Sequence, residues 1–349
     1  MIARVFSAVL AAGLLALGMP GSAHAQEKLR VGWCSKTYNV SLAPFAVAIK
    51  KGWFKAGNVD FEMFTFAGST DCMRTLATGD LTIAMLSPEP LGIVSLQGVK
   101  AKVFFEAYRR NIFGLAVAAD SDFKSYNDLK GQTVGVLSMG SVGVVIARSV
   151  AAAAGLNPTT DMRIVVTGEP AQTATLMRRG EVKVLSQFDT YYTLVERAGV
   201  KLRRLDDSAI ARFPSNSWVA MDDVLQKRRA DIVNFSKAYA MGTAYAIAHP
   251  REAIKMVYEV YPQTKPSNME LEDAVTYDMP ILQDRINTWH LDNPATDKWG
   301  SVDVAAFQTY MDWLHQWGLL PGKVDAASIT TNALIDDINA FDRKAIETP

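Results

Sequence analysis

Residues 133–155, TVGVLSMGSVGVVIARSVAAAAG, decide the fold class. The apolar run 133–137 has the length of a buried strand, and a helical apolar pattern follows over 141–154. Gly155 ends that pattern, as glycine does just past a helix C-terminus. Strand, tight polar turn and helix in succession make one unit of a parallel sheet wrapped by helices. The turn, Ser138-Met139-Gly140-Ser141, superficially resembles a phosphate-binding glycine loop. It lacks both the Gly-x-Gly-x-x-Gly spacing and a Gly-Lys-Ser/Thr, so neither a dinucleotide nor a P-loop site is read here. Either it simply turns the chain, or its backbone N–H groups face an anion or a polar ligand.

The same alternation extends in both directions. Strands are predicted over 29–34, 59–66, 81–86, 101–107 and 112–118, then over 163–167, 183–186, 201–205 and 217–221. Helices are predicted over 42–51, 70–78, 89–97, 171–179 and 190–198, each followed by a glycine. Beyond residue 221 the pattern is helical only: 223–248, 251–260, 267–283 and 301–317. The fold class is therefore α/β, with two mostly parallel sheets flanked by helices. Two interruptions, Tyr108-Arg109-Arg110-Asn111 and Arg212-Phe213-Pro214-Ser215-Asn216, flank the second unit. The simplest arrangement runs them side by side as a hinge of two crossover segments. Lobe 1 would then hold 26–110 plus 216–349, including the helical tail, and lobe 2 would hold 111–215. A cleft is expected between the lobes, at the carboxyl ends of both sheets.

Composition narrows the function. Thirty-six basic residues balance 36 acidic ones over 349 residues. No positive field is available for nucleic acid, and nothing suggests a disordered chain. Residues 1–25, MIARVFSAVLAAGLLALGMPGSAHA, read as a cleaved secretory signal peptide: one Arg, a short apolar stretch, then Ala23-His24-Ala25. Its removal leaves 35 basic residues against 36 acidic. No cysteine stands at the cleavage point, so a lipoprotein is not expected, and the periplasm of a bacterium is. Cys34 and Cys72 are too few for a multi-cysteine metal cage. In an oxidising compartment they either bridge or pack as two small buried thiols, and their spacing leaves both open. His249, His290 and His315 form no metal-ligand spacing and follow no nucleophile elbow. No metal, cofactor or catalytic group is expected.

The polar residues at the predicted strand ends form the candidate binding rim. The first lobe supplies Trp33, Ser35, Tyr38 and Asn39, then Ser69 and Thr70, then Ser87 and Glu89. The second supplies Ser138 and Ser141, then Glu169, then Phe188 and Asp189. Hydroxyls, amides and helix starts beside aromatic faces suit a small solute, although Ser69 or Ser141 also fits a plain helix cap. Glu89, Glu169 and Asp189, with no Arg or Lys among the rim positions, favour a neutral or cationic nitrogen heterocycle.

These residues resemble a known family. Lys50-Lys51-Gly52-Trp53-Phe54, Gly68-Ser69, Leu76-Ala77-Thr78-Gly79-Asp80-Leu81, Trp317-Gly318-Leu319-Leu320 and above all Asp128-Leu129-Lys130-Gly131-Gln132-Thr133-Val134-Gly135-Val136 carry the resemblance. It is to solute-binding proteins of ABC importers, in the nitrate/sulfonate/taurine and thiamine-pyrimidine-precursor class, over residues 28–325. The resemblance implies the two-lobed periplasmic-binding-protein fold, type II. It also implies a monomer that binds a small-molecule solute by hinge closure and passes it to a membrane permease. The solute would be a pyrimidine-like heterocycle, an organosulfonate or a small organic acid. Thr82 and Lys183 stand where the class usually has Asp. Enzymes of pyrimidine metabolism on this fold carry a cysteine cluster absent here; they, and a sensor docking to a membrane receptor, are the alternatives.

Overall fold

The computed structural model describes residues 27–36, 38–293 and 296–348. The segment read as a signal peptide lies outside them.

Among the described residues, ten strands form two five-stranded sheets. The first contains β1 (Leu29–Trp33), β2 (Phe61–Thr65), β3 (Ile83–Leu86) and β4 (Ala101–Glu106). The second contains β5 (Phe113–Ala118), β6 (Thr133–Val136), β7 (Arg163–Val166), β8 (Val184–Phe188) and β9 (Leu202–Arg204). The chain then returns to the first sheet as β10 (Ser217–Met221). The orders are β2-β1-β3-β10-β4 and β7-β6-β8-β5-β9, one pattern used twice. Four strands of each sheet share a direction; β10 in the first and β5 in the second run against them. Each antiparallel strand is the one delivered by a crossover from the other lobe. The crossovers lie side by side as expected, with Tyr108 N–H donating to Asn216 O at 3.0 Å and Asn111 N–H to Ala211 O at 3.3 Å.

The helices are α1 (Ala43–Lys50), α2 (Trp53–Ala56), α3 (Ser69–Ala77), α4 (Pro88–Ser95), α5 (Val142–Ala153), α6 (Pro170–Arg178) and α7 (Asp189–Arg197). The helical tail adds α8 (Asp222–Lys227), α9 (Arg229–Ala248), α10 (Pro250–Val260), α11 (Leu271–Trp289), α12 (Val304–Gln316), α13 (Ile335–Ile338) and α14 (Arg343–Glu347). The pattern over 223–248 becomes two helices because the backbone leaves helical geometry at Arg228 (φ −117°, ψ 29°). The tail packs on the first lobe around Phe45, Trp218, Phe235 and Tyr239, with ring centroids 5.1–6.0 Å apart. Each of these fully buried rings contributes ~2–3 kcal/mol by leaving water. This packing fixes α1, and with it the loop that carries the first-lobe rim.

Candidate functional site

The carboxyl ends of the two sheets meet at a cavity built from both lobes. Trp33, Cys34 and Ser35 follow β1, Ala67 to Ser69 follow β2, and Asn39 and Ser41 enter from the loop before α1. From the second lobe come Leu137, the start of α5 at Ser141 to Gly143, and Gln187, Phe188 and Thr190. The crossovers add Tyr108, Ile112 and Asn216, and α11 adds Arg285. The cavity offers about 60 Å³ to the centre of a water molecule, several times what one water needs.

The lobes touch directly at the rim. Ser138 Oγ donates to Ala67 O at 2.8 Å, and Thr70 N–H donates to Gly140 O at 3.4 Å. A Cβ on Gly68 would lie 2.5 Å from Gly140 O, a backbone atom of the other lobe. Gly68→Ala should therefore fold normally yet hold the two rims farther apart. We expect at least tenfold weaker binding of any small molecule held in the cavity, ~1.4 kcal/mol, by calorimetric titration; unchanged affinity would mean this contact plays no part in shaping the cavity.

Two polar groups in the wall stand out. Gln187 is 1% exposed, and its Nε2 finds no hydrogen-bond partner among the described residues. Nor does the buried Oδ1 of Asn216. A buried donor or acceptor left unpaired costs about 1–3 kcal/mol, and both residues belong to the cavity wall. Arg285, the one charged residue among the described residues of the wall, is already engaged. Its guanidinium donates to Asp189 Oδ1 and Oδ2 at 2.6 and 3.1 Å, to Thr190 Oγ1 at 3.0 Å and to Ser41 Oγ at 3.3 Å. Burial opposes its charge, but the Asp189 carboxylate and neighbouring groups outweigh burial and hold its pKa above the ordinary value. Burial likewise pushes the Tyr108 hydroxyl up, so that ring is neutral beneath the guanidinium, 4.8 Å away.

Of the expected rim residues, Trp33, Ser35, Asn39, Ser69, Ser141 and Phe188 stand in the wall. Thr70 and Ser138 make the inter-lobe contacts just described. Tyr38 and Glu169 border a second, outer crevice, with Asn39 in the walls of both. Ser87 and Glu89 lie elsewhere, inside the first lobe. Ser87 N–H donates to Ser69 Oγ at 3.2 Å, and the Glu89 carboxyl accepts the Tyr310 hydroxyl. Burial raises the Glu89 pKa. The three carboxylates that argued for a cationic solute thus present no unpaired charge to the cavity. Ser41, Tyr108, Gln187, Thr190, Asn216 and Arg285 were not among the expected rim residues; Tyr108 and Asn216 stand in the crossovers, and Arg285 comes from a helix of the tail.

Cys34 and Cys72 are joined by a disulfide, Cα atoms 5.7 Å apart, tying the loop after β1 to α3. Among the described residues no group of three or more His, Cys, Asp or Glu could hold a metal ion, and no helix is long and apolar enough to cross a membrane.

Known proteins share this architecture. The aliphatic sulphonate binding protein SsuA of Escherichia coli superposes with a TM-score of 0.61 at 19% identity, covering 86% of this chain and 96% of that one. The nitrate-binding protein NrtA of Synechocystis PCC 6803 gives 0.64 at 15% identity, covering 92% and 91%. Both are periplasmic proteins, and the two-lobed fold is theirs. In sequence, the riboflavin-binding protein RibY of Chloroflexus aurantiacus is 23% identical over 301 residues, 85% of this chain and 83% of RibY. The family model described as NMT1/THI5 like matches residues 39–253, more than half of the chain, and the chain belongs to that family.

Proposed function

We propose that this protein is the substrate-binding component of an ABC-type importer. It is exported to the periplasm with removal of residues 1–25, and a monomer captures one small solute between its lobes. Lobe 1 (26–110 with 216–349) and lobe 2 (111–215) turn about the paired crossovers. Ligand contacts drawn from both lobes exist together only in the closed form, so solute shifts the population toward it, and that form docks on a membrane permease. No chemical step and no cofactor are involved. The family match and the kinship with solute-binding proteins support this reading.

The observation that carries the choice of solute is the pair Gln187 Nε2 and Asn216 Oδ1, a donor and an acceptor left unpaired on two residues of one cavity wall. A cyclic amide edge, N–H beside C=O, satisfies both. Trp33, Phe113 and Phe188 supply apolar ring faces around it, and the space suits a single ring. We read the solute as a neutral nitrogen heterocycle of the pyrimidine kind. An organosulfonate or a small organic acid would bring a negative charge to a wall whose one cation is already paired.

Mass spectrometry of solute released from denatured native protein identifies it directly. Gln187→Met should weaken its binding by about 10- to 100-fold, ~1–3 kcal/mol for one buried hydrogen bond. An anionic solute without an amide edge, or unchanged affinity in Gln187→Met, would overturn the assignment.

A further inference from the structure

The carboxylate of Asp189 occupies a place built for an anion. It opens α7, a nine-residue helix whose positive end favours negative charge. It receives both arms of Arg285, a fork that matches carboxylate geometry. Arg285 side-chain exposure is 3% and Asp189's is 12%, so solvent screens the pair little. The guanidinium stands in the cavity wall beside Thr190, also in the wall. The pair spans the cleft, because α7 follows β8 of the second sheet while α11 belongs to the helical tail packed with the first lobe.

We propose that Asp189 is a specificity-determining residue: a built-in occupant of an anion site that keeps anionic solutes out of the cleft. The Arg285 cation ties the helical tail to the second lobe, and Asp189 cancels it from the opposite side. With the carboxylate present, an anion held at Arg285 has to displace Asp189 and meets a like charge as the cleft closes. With it removed, Arg285 keeps Ser41, Thr190 and the face of Tyr108. Those groups orient it toward the space the carboxylate had filled. The cleft then becomes a site for a small planar oxyanion. This inference concerns selection against anions and stands whatever neutral solute the wild-type protein carries.

Asp189→Ala leaves a gap the size of formate. The test compares thermal unfolding of wild-type and Asp189→Ala proteins in sodium formate, sodium nitrate and sodium gluconate at equal ionic strength, gluconate being too bulky for the gap. Formate and nitrate should raise the Tm of Asp189→Ala by about 4 °C at a ~50-fold excess over Kd, and leave the wild type at its gluconate value. Asp189→Ala/Arg285→Met should lose the response, which separates a captured anion from a general salt effect. Asp189→Ser, which keeps a polar side chain at the start of α7 and frees most of the gap, serves the same comparison if the alanine variant does not fold, with a smaller rise expected. The proposal fails if neither single variant responds to formate or nitrate more than the wild type does. It fails equally if the double variant responds as Asp189→Ala does.

Discussion

Breaking the Cys34–Cys72 disulfide should cost the native state about 4 kcal/mol and weaken solute binding as well. The bond spans 38 residues, and the chain-entropy model assigns a closed loop of that length a cost of about 4 kcal/mol when its cross-link is lost. The functional part follows from where the bridge sits. Cys34 stands in the cavity wall between Trp33 and Ser35, while Cys72 is fully buried on α3, the helix that Ser69 opens. The bridge therefore holds two segments of the first-lobe rim in fixed relation, removing motion that binding would otherwise have to freeze. Urea midpoints of oxidised protein, of protein held in dithiothreitol and of Cys34→Ala/Cys72→Ala measure the stability term, and solute titration of each measures the second. Both unbridged forms should show the lower midpoint, with a somewhat steeper slope because the denatured chain is less compact without the cross-link. An equal midpoint would mean that packing on α3 already fixes the rim.

That bridge marks one boundary of what the amino-acid order reveals. Strand positions were legible to within a residue or two, because short apolar runs bounded by glycine differ in period from the helices between them. The crossovers were legible too, as the two interruptions of that rhythm. The direction of β5 and β10 was not, since a strand's own sequence is the same whichever way its neighbours run. The turn of helix at α2 was missed because four residues between Gly52 and Gly57 are too few to show a period. At the site, loops after strands were found because the cleft must lie at the carboxyl ends of a parallel sheet. Arg285 sits in the middle of a helix 96 residues from Asp189, with no local pattern to tie them. Glu89 misled for the opposite reason. It follows a strand as rim residues do, but α4 packs against α12, where the carboxyl meets Tyr310.

The second large effect is on pH. Glu106 ends β4, two residues before the crossover at Tyr108, and is 5% exposed. Its backbone N–H donates to Gly300 O, and its carboxyl accepts the Asp303 N–H at 3.2 Å. Burial pushes its pKa up to about 7; the Asp303 N–H and the charge of Arg109 pull the other way, and the Asp303 carboxylate adds to the rise. Arg109 compensates little because it is also drawn to Asp297, 3.5 Å away. The sign of the linkage follows. In the unfolded chain Glu106 loses its proton near pH 4.5, while in the folded protein it keeps it to about pH 7. Between those values the folded state binds the extra proton, so stability falls as pH rises, by roughly 3 kcal/mol in all. Glu106→Gln keeps an acceptor for the Asp303 N–H and removes the titration. The variant should match the wild type near pH 4 and be the more stable protein by about that amount at pH 8, measured as the difference in urea midpoints across the range. Parallel pH profiles for the two proteins would show that Glu106 ionises in the folded state as readily as in water, and that its surroundings accommodate the charge.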